Sequence, residues 1–322
     1  MPKAIQINSV GGPEVMEYVN VKVKVPAVDE IQIEQKAIGL NYIDVYFRTG
    51  LYPQELPGTL GLEGAGVVKK VGRNVTGFEV GDRVAYAGGP LGAYAQVRNL
   101  PASQAVKLPR GIEFETAAAM MLQGMTVEYL LNRTYQVKKG DTILWHAAAG
   151  GVGLIAMQWA RALGVKVIGT VGSEEKAKLA RAHGCKHIIY YKEENVAERV
   201  REITKGKMVP VVYDSVGKDT FQASLDSLQN FGTMVSFGNA SGPVPPVPLT
   251  ALRGSLYITR PSLMPHTANR KTLEQMSKNL FRMVKSGAVQ IRIDQTYPLA
   301  DVAQAHADLE ARKTTGSTIL LP

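Results

Sequence analysis

Between residues 142 and 262 two hydrophobic periods alternate along the chain. Apolar runs near 143–146, 165–171, 187–191, 210–213 and 232–237 are separated by stretches whose apolar residues recur every three or four positions. Short runs bounded by glycine and polar residues read as buried strands, and the spaced segments read as helices. Their alternation predicts a parallel, doubly wound α/β sheet. Upstream, as far as Leu122, the signals are those of short strands. Residues 30–37 alternate Ile31, Ile33 and Gln35 against Gln32, Glu34 and Lys36, and 66–72 and 81–85 read as strands bounded by glycines. That rhythm predicts a β-barrel, and a helical stretch from Pro109 through 117–121 leads out of it. Beyond a proline-rich link at 242–248 come a strand at 256–259, helices at 272–286 (stopped by Gly287) and 301–312, and a last strand at 317–321. Too few strands remain there for a separate domain. The expected division is therefore 1–124 with 263–322, and 125–262.

The densest signal lies at 143–153, Ile-Leu-Trp-His-Ala-Ala-Ala-Gly-Gly-Val-Gly, where an apolar run ends in a glycine turn that opens an amphipathic helix at Val152. Val152, Ile155, Ala156, Trp159 and Leu163 keep helical spacing, Gly164 stops the helix, and a second buried strand follows. Strand, turn, helix and strand occupy about 30 residues, one βαβ unit. In such a unit glycine lets backbone amides approach a pyrophosphate at the helix N-terminus, where the dipole favours anions. Ala148 stands at the first glycine position of the G-x-G-x-x-G pattern, with Gly150 and Gly153 at the others. The second strand ends in Gly172-Ser173 without the Asp or Glu that holds ribose hydroxyls in NAD sites. Lys176 follows in the next helix, so the site is predicted to take NADPH.

Composition narrows the class. The 322 residues are 45% hydrophobic and 20% charged, ordinary for a folded globular chain. No apolar stretch is long enough for a membrane helix and no apolar signal core opens the chain, which predicts a cytoplasmic protein. The formal charge of +9 is scattered, without a basic tract or an aromatic-basic repeat. It fits steering of an anionic cofactor better than nucleic-acid binding. Cys185, the one cysteine, excludes an intrachain disulfide and reads as a small packed residue. No histidine is spaced with another for a metal, and His146 reads as an ordinary strand-end residue. There is no G-x-S-x-G elbow.

Several motifs together carry a family resemblance over essentially the whole chain: Gly11-Gly-Pro-Glu-Val15, Asn41-Tyr-Ile-Asp44, Gly50-Leu-Tyr-Pro53, Gly61-Leu-Glu-Gly-Ala-Gly66, Val80-Gly-Asp-Arg-Val84, Ala147-Ala-Ala-Gly-Gly-Val-Gly153, Tyr213-Asp-Ser-Val-Gly217, Phe237-Gly-Asn239 and Thr259-Arg-Pro-Ser262. The chain resembles the medium-chain dehydrogenase/reductase superfamily, and within it the zinc-free NADPH-dependent quinone oxidoreductases related to zeta-crystallin. The resemblance implies a GroES-like β-barrel catalytic domain beside a Rossmann cofactor domain, with nicotinamide at the bottom of a cleft between them. Zinc-dependent members carry a cysteine near Asn41 and a histidine near Leu62, so no metal is expected here. It further implies that Tyr42, Tyr129, Gly150, Gly151, Val152 and Gly153 contact the dinucleotide. Gly172, Ser173, Lys176, Tyr191 and Arg312 would surround the 2'-phosphate. Ser215, Phe237, Gly238, Asn239, Ser262, Leu263 and Met264 would close the nicotinamide side. Tyr46 and Tyr52 are candidates to hydrogen-bond the developing quinol oxygen, Asn41 to orient substrate or nicotinamide, and Asp44 to hold the ribose or the loop.

Two rival readings share these residues. An NADPH-dependent enoyl or enone reductase of the same superfamily shows the same Asn41, Asp44 and Tyr52 pattern, and an RNA-binding protein could keep the fold without turnover. The apolar strand at 256–259, placed at the end of the nucleotide sheet, predicts a homodimer through edge pairing.

Overall fold

In the computed structural model, which describes residues 1–322, the chain forms two units. The first comprises 1–125, 263–285 and 291–322, and the second 126–262 with 286–290.

The first unit is β-rich. Strand Glu30–Leu40 is its spine, pairing antiparallel with Glu63–Val71, Val97–Pro101 and the C-terminal strand Ser317–Leu321. Thr318 lies opposite Leu40 and Leu320 opposite Ile38, so the tail does return to this sheet. It brings a second strand, Ile293–Pro298, which has little apolar alternation and was not anticipated. A three-stranded sheet built on Lys3–Ile7 is tied on by a bridge between Ala4 and Ala95. Ile5, Ile7, Ile31, Ile33, Ile38, Leu60, Leu100 and Leu320 form the core. The helical stretch after Pro109 is two helices, Phe114–Ala118 and Met121–Tyr129.

The second unit is a six-stranded parallel sheet in the order His187–Tyr190, Lys166–Val171, Thr142–Trp145, Val209–Asp214, Leu228–Ser236, Tyr257–Thr259. By position in the chain this is 3-2-1-4-5-6, the Rossmann order. The first and fourth strands are neighbours whose following loops diverge, the place where such sheets bind ligands. Helix Gly151–Ala162 is stopped by Gly164 at φ +73°. It is buried continuously from Gly153 to Ala160, wider than the amphipathic stripe predicted. Within it, Gln158 exchanges two hydrogen bonds with the Gln290 backbone, at 3.0 and 2.9 Å, which binds 286–290 to this unit.

Candidate active site

In the first unit, Asn41 is the N-cap of helix Tyr42–Arg48. Its backbone N–H donates to Asp44 Oδ2 at 2.9 Å, the reciprocal half of a capping box. Its side chain is also fixed. Nδ2 donates to Glu63 Oε2 at 2.6 Å, and Oδ1 accepts from Gln123 at 3.3 Å. Gln123 in turn accepts from the Ser317 hydroxyl, and Glu63 Oε1 accepts the Leu122 N–H at 2.7 Å. One amide N–H of Asn41 remains uncommitted to these partners. Glu63 is fully buried, and burial pushes its pKa up to about 8 against the pull of the bonds from Asn41 and Leu122.

Asp44 is likewise completely buried, and burial raises it to about 7. It ends a chain whose direction follows from donor capacity. Arg48 donates only, so His306 Nδ1 accepts from it at 3.0 Å. His306 Nε2–H then donates to Tyr94 Oη at 3.0 Å, and Tyr94 donates to Asp44 Oδ2 at 2.8 Å. Burial, helped by Arg48, lowers His306 to about 3 and keeps it neutral. Arg48 also donates to the Gly11 carbonyl and pairs with Glu310 at 2.8 Å, which ties the N-terminal glycine motif to this helix. In this position Asp44 anchors the loop and makes no exposed surface. The aromatic block stacks in series: Tyr42 on Tyr46 with ring centroids 5.5 Å apart, Tyr46 on Tyr52 at 5.2 Å, and Tyr52 on Phe47 at 5.6 Å. Tyr46 is buried, while Tyr42 and Tyr52 are partly exposed. Leu263 is buried and Met264 exposed in helix Leu263–Thr267, preceded by exposed Ser262. Arg312 is exposed with a left-handed φ of +58° just past helix Val302–Glu310.

In the second unit, Ala147 takes φ +56° and starts the turn. Gly150 is exposed, Gly151 and Val152 are half-buried, and Gly153 is buried against the carbonyls of Ala147 and Ala148. A Cβ on Gly169 would lie 2.6 Å from both the Ala148 Cβ and the Cys185 Sγ. The alanine at the first motif position is thus accommodated by a glycine on the next strand. Cys185 is buried as a packed residue and burial pushes its thiol up to about 12. Past that strand, the Ser173 hydroxyl caps helix Glu174–Ala182 by accepting from the Lys176 N–H. Glu174 is drawn to Tyr190 and Arg181, and Gly172 lies beneath the Tyr191 ring. On the neighbouring strand ends, Gly238 packs on the Ser215 backbone. Phe237 packs on Trp145 at 5.6 Å, and Asn239, with its amide oriented by its neighbours, accepts from Arg260 at 3.2 Å. Buried Tyr129 has its pKa raised by burial, opposed by Arg260.

The exposed turn amides, the glycine kept against the backbone and the acid-free strand end make a cradle that fits a phosphorylated dinucleotide. Zinc does not fit: Asn41 and Leu62 offer no metal donor set, and nowhere do three or more His, Cys, Asp or Glu side chains gather to hold an ion. Sequence reasoning missed Glu63, Gln123, Tyr94 and His306. Only the Glu63 position lay within a quoted motif.

Comparison with known proteins agrees in both units. Residues 27–110 match the alcohol dehydrogenase GroES-like domain and 151–282 the zinc-binding dehydrogenase domain. The chain is 55% identical to a quinone oxidoreductase of Pseudomonas aeruginosa, each covered completely. It is 46% identical to a 2-haloacrylate reductase of a Burkholderia species, covering 100% of this chain and 99% of the relative. A solved structure of Escherichia coli quinone oxidoreductase complexed with NADPH superposes with a TM-score of 0.98 at 52% identity, covering 99% of this chain and all of the other. The chain belongs to the quinone oxidoreductase family of the medium-chain dehydrogenase/reductase superfamily.

Proposed function

We propose that the chain is a metal-free, NADPH-dependent quinone oxidoreductase. The observation that carries this reading is the glycine turn followed by a strand that ends in Gly172-Ser173 without a carboxylate, in a chain 55% identical to a quinone oxidoreductase. NADPH, when bound, supplies the hydride. The turn amides at 150–153 hold the pyrophosphate; Ser173, Lys176, Tyr191 and Arg312 hold the 2'-phosphate. Tyr42, Tyr129, Ser215, the segments 237–239 and 262–264 enclose the rest of the dinucleotide. A quinone is already electrophilic, so the protein's part is orientation and exclusion of water rather than strong acid catalysis. Asn41, rigid through Glu63 and Gln123, offers its remaining N–H to the acceptor, and the phenols of Tyr46 and Tyr52 donate to the developing quinol oxygen. Asp44 holds their loop. The protein works in the cytoplasm as a homodimer joined at strand Tyr257–Thr259.

The 2-haloacrylate reductase among the relatives keeps an activated-alkene acceptor as the second reading. Turnover of 1,4-benzoquinone, a naphthoquinone, an enone and a crotonyl thioester with NADPH, side by side, separates the two. Quinones are expected to be the fastest acceptors, and negligible quinone rates beside rapid enone reduction would reverse the assignment.

A further inference from the structure

The second unit contains a buried hydrogen-bonded chain that ties together three neighbouring strand ends. Its members are Thr170, His146, Ser224 and Asp214, none more than 1% exposed. Their donor and acceptor capacities leave one direction for it. Asp214 Oδ1 accepts the N–H groups of Val216 and Gly217 at 2.8 and 3.0 Å, and the Thr220 hydroxyl reaches both carboxylate oxygens. Asp214 is therefore an acceptor, and Ser224 donates its single proton to Oδ2 at 2.8 Å. Ser224 can then only accept from His146 Nε2 at 3.0 Å, which puts the ring proton there. Burial lowers the His146 pKa, opposed by Asp214, and the neutral ring leaves Nδ1 to accept from the Thr170 hydroxyl at 3.1 Å. The Thr170 oxygen in turn accepts the N–H of Ala147 at 3.2 Å. The order Asp–Ser–His, with histidine donating to serine, and full burial make this no nucleophilic triad.

What the chain holds is specific. One end is the peptide of Ala147, a left-handed residue that an L-alanine rarely adopts and that aims the glycine turn. The other end is the loop at 214–217, which carries Ser215. Both loops leave adjacent strands, Thr142–Trp145 and Val209–Asp214, where the strand order reverses. We propose that His146 and Thr170 are positioning residues for the dinucleotide: the wire from Ala147 to Asp214 presets the turn amides and the Ser215 loop at the spacing the cofactor requires. This rests on the NADPH assignment above.

Thr170→Val keeps the shape and removes the hydroxyl, Thr170→Ser restores it, and Ser224→Ala cuts the far end. NADPH affinity by calorimetry, KM and kcat with benzoquinone, and amide exchange at Ala147 are read on the full-length protein. Thr170→Val is expected to weaken NADPH about tenfold, the order expected when the buried acceptor His146 Nδ1 and the Ala147 N–H lose their shared partner. KM for NADPH rises with it, kcat is largely kept, and protection of the Ala147 amide falls. Thr170→Ser should return to within about twofold of the parent, since it restores that partner. A folded Thr170→Val protein that is less stable yet binds NADPH as tightly as the parent would overturn the proposal, as would failure of folded Thr170→Ser to recover. If Thr170→Val does not fold, Ser224→Ala decides by the same readouts. Parent protein that does not bind NADPH would remove the functional reading and this proposal together. Parent binding with indifferent variants would remove this proposal alone.

Discussion

Two glycines of one motif should fail in opposite ways when replaced by alanine. A Cβ on Gly153 would lie 2.5 Å from the Ala147 carbonyl oxygen and 2.6 Å from that of Ala148, well inside the roughly 3.5 Å at which nonbonded heavy atoms rest. Both obstacles are backbone, so the turn or the helix must shift, and overpacking of this kind costs about 3 kcal/mol at the upper end of its usual range. Alanine's advantage inside a helix offsets about 1 kcal/mol, leaving a net loss of about 2 kcal/mol. Gly150 differs: its φ is −76°, its nearest contact would be 3.4 Å away, and it is exposed. There the poorer alanine N-cap, about 0.5–1 kcal/mol, nearly cancels against the reduced freedom of the unfolded chain. Both tryptophans, Trp145 and Trp159, are buried in the second unit, so their fluorescence reports its unfolding in urea. With a slope of about 2 kcal/mol per molar, Gly153→Ala should lower the midpoint by about 1 M and Gly150→Ala should leave it nearly in place. Gly150→Ala should nevertheless weaken NADPH at least about tenfold, because its methyl would stand where the pyrophosphate approaches. Equal midpoints for the two variants, or undiminished NADPH binding by Gly150→Ala, would refute this division between a packing glycine and a ligand glycine.

Lys176→Glu should weaken NADPH about 10–100-fold, the range for a lost charged hydrogen bond, and NADH far less; equal losses by calorimetry would place the 2'-phosphate elsewhere. Glu63, raised by burial to about 8, contributes stability that is fully present below its unfolded value near 4.5 and is lost as pH rises through 8. Urea midpoints of the first unit should therefore fall over that window in the parent and fall less in Glu63→Gln, and parallel profiles would contradict the burial argument. Tyr52→Phe and Tyr46→Phe should lower kcat for quinones with NADPH affinity kept; a change confined to NADPH affinity would move these phenols to the cofactor. Strand Tyr257–Thr259 is a sheet edge with Tyr257 61% and Ile258 38% exposed. Ile258→Lys should convert the dimer to monomer in sedimentation, and a parent that already sediments as a monomer would remove the edge-pairing proposal.

The parallel sheet was legible because its inner strands, Lys166–Val171, Thr142–Trp145 and Val209–Asp214, are largely buried and therefore read as nearly unbroken apolar runs. The six runs read from the sequence lie within two or so residues of observed strands, except that Leu228–Ser236 begins earlier, through polar Gln229 and Asn230. In the first unit, strand Ile293–Pro298 escaped notice for the converse reason. It is an edge strand, paired on one side by Ser317–Leu321, and it buries too little to need alternating apolar positions. The burial of Gln158 in helix Gly151–Ala162 was also illegible, since its partner is the backbone of Gln290, 132 residues away.

Periodicity cannot report polar side chains that find each other across the chain. Arg48 meets His306 at a separation of 258 residues, and His146 meets Ser224 at 78. Each histidine, taken singly, looks ordinary: His146 follows the strand Thr142–Trp145 and His306 sits within the helix Val302–Glu310. What marks them is the matching of donors to acceptors, and that exists only after folding. Asn41 and Asp44 are the instructive exception, because their three-residue spacing is readable as a helix start: an N-cap asparagine with an acid at the third helical position is a capping box. The structure builds that box and buries Asp44 entirely, with Tyr94 as its second donor. Such a carboxylate is positioned to set where Asn41 points rather than to meet an acceptor. Proton donation at this loop then falls to a phenol with some exposure, and of the stacked phenols Tyr52 has more exposure than Tyr46. Of the two, replacement of Tyr52 should therefore cost more in kcat.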